Sequence, residues 1–211
     1  MKVLVACEES QAVCIELRKL GHEAYSCDVI DCSGGHPEWH IKQDVIPLLN
    51  GKCSFTTVDG SQHTIDGKWD MIIAFPPCTY ISNAGAARLF PQKGLMDVAR
   101  YKKGLSAKDF FMILLNADCE KIAIENPVPN TIFNLPKYTQ TIQPYEHGHP
   151  YSKKTCLWLK GLPDICPTDI ITENIISWVS EIRDPKIRAK TFPGIAKAMA
   201  EQWAGKVKGS T

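Results

Sequence analysis

Three things are scarce in this sequence. The first is charge of one sign: 24 Lys and Arg face 23 Asp and Glu, for a formal net charge of +1. So small an excess excludes an overall basic field for holding nucleic acid, though it leaves room for a local patch. The second is long apolar runs. No stretch reaches the ~20 residues that span a bilayer. Val3 to Cys7 is too short for the apolar part of a secretory leader, and Glu8 and Glu9 follow directly. The third is paired cysteine spacing. The nine cysteines are odd in number and form no small disulfide framework, so the expectation is a reduced, cytoplasmic protein with mostly buried thiols. With 44% apolar and 22% charged residues over 211 positions, the composition is that of one soluble globular domain with a proper core.

What is present is organised around Ile72-Ile73-Ala74-Phe75-Pro76-Pro77-Cys78-Thr79-Tyr80. Trp69 to Ala74 reads as a buried strand. Pro76 and Pro77 cannot continue a sheet ladder, so Cys78 falls just past the strand's carboxyl end, where open α/β sheets bind ligands. Alone, such a cysteine is more simply a small core residue. Lys121-Ile122-Ala123-Ile124-Glu125-Asn126-Pro127 repeats the design, however, with a carboxylate and an amide before the chain-breaking proline. If the two strands are neighbours, Cys78 and Glu125 face one cleft.

The remainder reads as alternating strands and helices. Lys2 to Cys7 is a first strand. Ser10 can cap a helix over Gln11 to Leu20, ended by Gly21, and Glu23 to Cys27 is a second strand closed by Asp28. This βαβ start predicts a doubly wound, mostly parallel α/β sheet. Cys32, His36 and His40 lie four residues apart, but Gly34, Gly35 and Pro37 break the helix a metal cluster would need, so they read as loop residues and no metal is expected. Gln43 to Val45 is a short third strand carrying Asp44, which could equally be a turn or capping aspartate. Ser54 to Ile65 is a hairpin about Asp59-Gly60. The segment 79–104 reads as a long loop able to act as a lid. Ser106 to Asp109 is a capping box for a helix to about Asn116. Thr139 to Gln143 and Ser152 to Leu159 are strands, 161–190 is a short irregular insert, Ile195 to Ala204 is a final helix and 206–211 a frayed tail.

Pro-Pro-Cys followed by Glu-Asn-Pro resembles the cytosine-C5 DNA methyltransferase family, whose motifs are Pro-Cys and Glu-Asn-Val, and most nearly its small phage and prophage members. The resemblance implies a Rossmann-like S-adenosylmethionine-dependent methyltransferase fold in one domain over 1–211, with a reduced or absent target-recognition domain. It implies that Cys78 is the nucleophile, assisted by Glu125 and Asn126. S-adenosylmethionine would lie against Cys7, Glu8, Ser10, Asp28, Asp44 and Pro76. Pro77, Thr79, Ser82, Lys153, Lys154 and Thr155 would meet the base and phosphates of DNA, or of a nucleotide. The sequence departs from the family at three points. Pro127 replaces valine. Ala6-Cys7-Glu8-Glu9-Ser10-Gln11-Ala12 lacks the glycines of the Phe-x-Gly-x-Gly loop. Lys153 and Lys154 stand near the family's Gln-x-Arg-x-Arg.

Other readings stay open. The same cysteine addition could modify a free pyrimidine nucleotide. The missing glycine loop suits a methyltransferase-like nucleic-acid-binding protein without cofactor. The two proline motifs could also be mere strand terminators.

Overall fold

The structure is a computed structural model that describes residues 1–207; the expected tail lies outside the described residues from Lys208 onward. In chain order the elements are β1 (Lys2–Ala6), α1 (Ala12–Lys19), β2 (Glu23–Asp28), β3 (His40–Lys42), β4 (Cys53–Thr56), β5 (Gln62–Ile65) and β6 (Met71–Ala74). There follow α2 (Ala86–Leu89), α3 (Val98–Leu115), β7 (Ile122–Pro127), β8 (Gln140–Ile142), β9 (Tyr151–Ser152) and β10 (Thr155–Lys160). The last are β11 (Ile176–Ser177), α4 (Trp178–Glu181), α5 (Pro185–Ala189) and α6 (Pro193–Met199), which runs on into a π-turn at Ala200–Ala204.

Seven strands form one sheet in the order β3-β2-β1-β6-β7-β10-β8. All pair in parallel except β10, which is antiparallel to both β7 and β8. This is a mostly parallel, doubly wound, Rossmann-like sheet. Its strands are apolar on both faces because both faces are covered. Val3, Val5, Met71, Ile73, Ala123 and Leu157 point towards α1 and α6. Leu4, Ala6, Ile72, Ala74, Ile124 and Trp158 point the other way, towards α3 and the β4–β5 hairpin. A buried Leu, Ile or Val in such a layer contributes about 1.5–3 kcal/mol.

Several sequence expectations shift for local physical reasons. Ser10 does not cap α1. Gln11 takes the position before the helix with a left-handed φ of 58°, and the Glu8 carboxylate accepts from the amides of Val13 at 2.7 Å and Cys14 at 3.3 Å. The third strand is His40–Lys42, so Gln43 and Asp44 lie beyond it. Ser106 sits inside a helix that starts eight residues earlier. Asp97 is the cap, accepting from the Arg100 amide at 2.9 Å, so 98–104 is helix and the basic run Arg100, Lys102 and Lys103 rides on it. The 161–190 segment holds β11, α4 and α5. Among the described residues no helix is long and apolar enough to cross a membrane.

Candidate active site

The site is built at the carboxyl ends of β6 and β7. Ala74 pairs with Ile124, so the two chains leave the sheet side by side. Phe75 extends the β1 pairing by one bond, its amide donating to the Ala6 carbonyl at 2.9 Å. The two prolines then turn the chain out, and Cys78 opens a tight turn in which its carbonyl accepts from the amides of Ile81 at 3.2 Å and Ser82 at 3.0 Å. That turn is fastened to the segment after β7. The Asn83 amide donates to the Val128 carbonyl, the Asn130 amide donates to the Ile81 carbonyl, and Ser82 bridges Pro129. Arg100 reaches back from α3 to donate to the Thr79 carbonyl at 2.6 Å and lies over the Tyr80 ring. Residues 79–85 are therefore held on both sides.

Strand alternation sends Glu125 and Asn126 to opposite faces of the sheet. Glu125, in step with Ala123 and Leu157, faces the α1/α6 layer. Asn126 is fully buried on the α3 layer, where its side-chain amide donates to the Pro76 carbonyl at 2.9 Å. Among the described residues its Oδ1 has no partner. Asn126 thus holds the Pro-Pro turn, while Glu125 is the group turned towards the cleft.

The cleft has its own electrostatics. Burial pushes the Cys78 thiol above its ordinary pKa. The charge of Glu125 adds to that rise, and Lys153 and Arg188 oppose it. Burial likewise raises the Glu125 carboxyl, against the charge of Lys153 and the influence of Thr155, whose hydroxyl donates to the Lys153 carbonyl at 3.1 Å. Cys78, Glu125, Lys153 and Thr155 are thus brought together. Lys154 is not among them. It is one step along β10's approach, exposed, and acts instead on the Cys156 thiol of the other face. Pro77 and Thr79 are exposed at the rim, whereas Pro76 and Ser82 are buried beneath it.

Arg188 is the residue that the sequence reading missed. It sits in the last turn of α5, whose start is signalled by Asp184-Pro185: the Asp184 carboxylate accepts from the Lys186 amide at 2.8 Å, with Pro185 in the first helical position. That pair was legible. What it delivers to the cleft was not.

The second half of the site lies at the ends of β1, β2 and β3. The Asp28 and Asp44 carboxylates both raise the Cys7 thiol, after burial, which is the largest cause, so the three groups share one mouth. Asp28 is partly buried and, among the described residues, its carboxylate takes only a 3.4 Å bond from the Ile30 amide. It has acceptor capacity to spare. Asp44 is exposed and takes the Ile46 amide at 3.0 Å. Glu8 is buried and committed to α1, and its carboxyl is pushed up to about 8, chiefly by burial. The first loop lacks glycines but is packed by one from elsewhere. A Cβ at Gly34 would sit 2.6 Å from the Ser10 carbonyl oxygen and 2.7 Å from the Gln11 Cβ. Gln11 locks the two loops, accepting from the His36 amide at 3.1 Å and donating to its carbonyl at 2.8 Å. The His36 ring stacks on Trp39 at 3.9 Å and the His40 ring bonds Ser26 and Ile30.

No family model and no curated protein matches this sequence. In its fold the chain is similar to a solved E. coli protein described as a candidate DNA modification methyltransferase encoded within a prophage. Identity is 15% and the TM-score 0.43, over 80% of this chain and 51% of that one. The chain thus spans about half the length of that protein, and no residue role passes between them at this level of overlap.

Proposed function

We propose that the protein transfers a methyl group from S-adenosylmethionine to C5 of cytosine in DNA through a covalent adduct between Cys78 and C6. The observation that carries this reading is the electrostatic pairing of the Cys78 thiol with the Glu125 carboxyl, from the ends of neighbouring strands, in a desolvated cleft that also holds Lys153. Mutual repulsion disfavours ionising both groups, while Lys153 and Arg188 favour keeping one negative charge. Thiolate with neutral carboxyl has the same total charge as thiol with carboxylate, and it is the form that the chemistry needs.

The Cys78 thiolate adds to C6 of the ring, breaking its aromaticity, as Glu125 gives its proton to N3; the electron pair then resides on C5. Bound S-adenosylmethionine supplies the methyl group at this point. Loss of the C5 proton to solvent water, return of the N3 proton to Glu125 and departure of the Cys78 thiolate restore the ring. Asn126 holds the Pro76 turn from which Cys78 projects. The acceptor set of Asp28 and Asp44 fits the hydroxyls and amine of the cofactor's nucleoside. Cys7 and Ser10 line the same mouth, and Glu8 supports it from beneath. Pro77 and Thr79 border the base at the rim, with Ser82 beneath them and Lys153 and Thr155 opposite.

A duplex substrate must have its base extruded. The stretch between β10 and α6 contains only short elements, and this favours a second reading, a single strand or free nucleotide as substrate. Covalent trapping tests the proposal. The protein is incubated with S-adenosylmethionine and DNA carrying 5-fluorocytosine, in which the fluorine cannot leave as a proton. An adduct that requires both Cys78 and cofactor is expected with wild type and none with Cys78→Ala. An adduct with 5-fluorodeoxycytidine monophosphate alone establishes the second reading. Failure with both substrates overturns the chemistry.

A further inference from the structure

Arg188 is a partly buried arginine whose guanidinium holds nothing among the described residues. Among the described residues its backbone is bonded, the amide to the Asp184 carbonyl and the carbonyl to Lys153 Nζ at 2.9 Å, but no carboxylate, carbonyl or ring partners its side chain. A partly desolvated charge without a counter-ion is unfavourable, and the guanidinium presents five donors in a planar fork. The carboxyl of the cleft, Glu125, lies under the charge of Lys153.

The segment that carries Arg188 is held at both ends. On one side the Lys153 ammonium donates to the Arg188 carbonyl and lies 5.9 Å from the centre of the Phe192 ring. On the other, Lys190 Nζ donates to Ser33 Oγ at 2.8 Å and comes within 4.0 Å of Glu9. The strap 184–192 therefore crosses from the β10 side of the cleft to the loops at the end of β1, and the Arg188 charge is felt at Cys78.

We infer that Arg188, with Lys153, binds the phosphate attached to the pyrimidine nucleotide whose base enters the Cys78 cleft. A phosphate offers the two coplanar oxygens that an arginine fork matches. A basic strap fixed at both ends presents that charge without further ordering. It also supplies the local basic patch that a net charge of +1 does not. The inference rests on the pyrimidine-modifying reading but does not need methyl transfer to be tested.

The experiment measures binding without cofactor. A labelled cytosine-containing single strand is titrated by anisotropy through a salt series, and deoxycytidine monophosphate by calorimetry, against wild type, Arg188→Ala and Arg188→Lys, each shown to be folded by thermal melting. For a strand phosphate, Arg188→Ala weakens binding about tenfold and makes the salt slope shallower by about 0.7, while Arg188→Lys keeps the slope and recovers part of the affinity. For a mononucleotide phosphate, the loss appears with deoxycytidine monophosphate and the strand slope is unchanged. Unchanged binding of both ligands by Arg188→Ala, or no binding of either by wild type, overturns the inference. Loss of binding in Arg188→Ala alongside failed covalent trapping in wild type would sink the proposed chemistry and leave this phosphate contact standing.

Discussion

The side-chain amide of Asn126 donates to the Pro76 carbonyl at 2.9 Å, joining the end of β7 to the turn that carries Cys78. Both residues are buried, so the bond is worth more broken than made. Replacing Asn126 with Ala strands the Pro76 carbonyl and should lower stability to urea by about 1–3 kcal/mol. Trapping through Cys78 should fall as well, because its turn loses a fixed point. Asn126→Asp should be worse at neutral pH, where a buried carboxylate would face a carbonyl, and should recover towards acid. Equal stability of wild type and both variants would show that the bond holds nothing.

Cys78 and Glu125 should report on one another without any substrate. The rate at which iodoacetamide alkylates Cys78, followed by mass spectrometry of its peptide against pH, tracks the thiolate. Glu125 raises the thiol and Lys153 lowers it. Glu125→Gln removes a negative charge and should move the alkylation midpoint to lower pH. Lys153→Met removes a positive one and should move it higher. Two unmoved midpoints would mean that the three groups do not share a cleft.

Glu8 makes stability depend on pH with a defined sign. Its carboxyl is raised from 4.5 to about 8 by burial, against the opposing amides of Val13 and Cys14. Between those values the folded chain binds the proton more tightly than the unfolded one. The stabilisation is complete below about 4.5 and is lost as pH rises towards 8, with a slope approaching 1.4 kcal/mol, about one factor of ten, per pH unit. Glu8→Gln keeps an acceptor for α1 and cannot ionise. Its denaturation profile should be flatter across this window, and the variant relatively more stable at the alkaline end. Parallel profiles for the two proteins would contradict this.

The two glycines of the loop after β2 should respond differently to a methyl group. Gly34→Ala drives Cβ into the Ser10 carbonyl and Gln11. It should cost about 1–3 kcal/mol through overpacking and weaken S-adenosylmethionine binding in calorimetry, since the displaced loop covers the proposed cofactor mouth. Gly35→Ala meets nothing within 4 Å but has φ of +86°. It should cost only the ~1–2 kcal/mol of left-handed strain and leave cofactor affinity unchanged. Equal cofactor affinities in the two variants would detach this loop from the site.

The sequence by itself determined the elements whose signal is local. Apolar runs ended by Asp28, by Pro76-Pro77 and by Pro127 mark the strand ends, and the Asp59-Gly60 turn marks the hairpin. Tertiary contacts decided the rest. α3 starts at Val98, capped by Asp97, and its Arg100 ties it to the Cys78 turn through the Thr79 carbonyl, a contact that no local signal contains. The same holds for α1, where the buried Glu8 carboxylate, three residues before the left-handed Gln11, takes the helix amides in place of Ser10. The chain entering β10 turns Lys153 and Lys154 to different sides, and alternation along β7 separates Glu125 from Asn126. Which member of each pair meets Cys78 could be fixed only once the strand's neighbours had set its inward face. Arg188 lies 110 residues from Cys78 in the chain. Only the strap held by Lys153 and Lys190 brings its charge to the thiol, because through-space electrostatics depends on distance in the fold and not along the sequence.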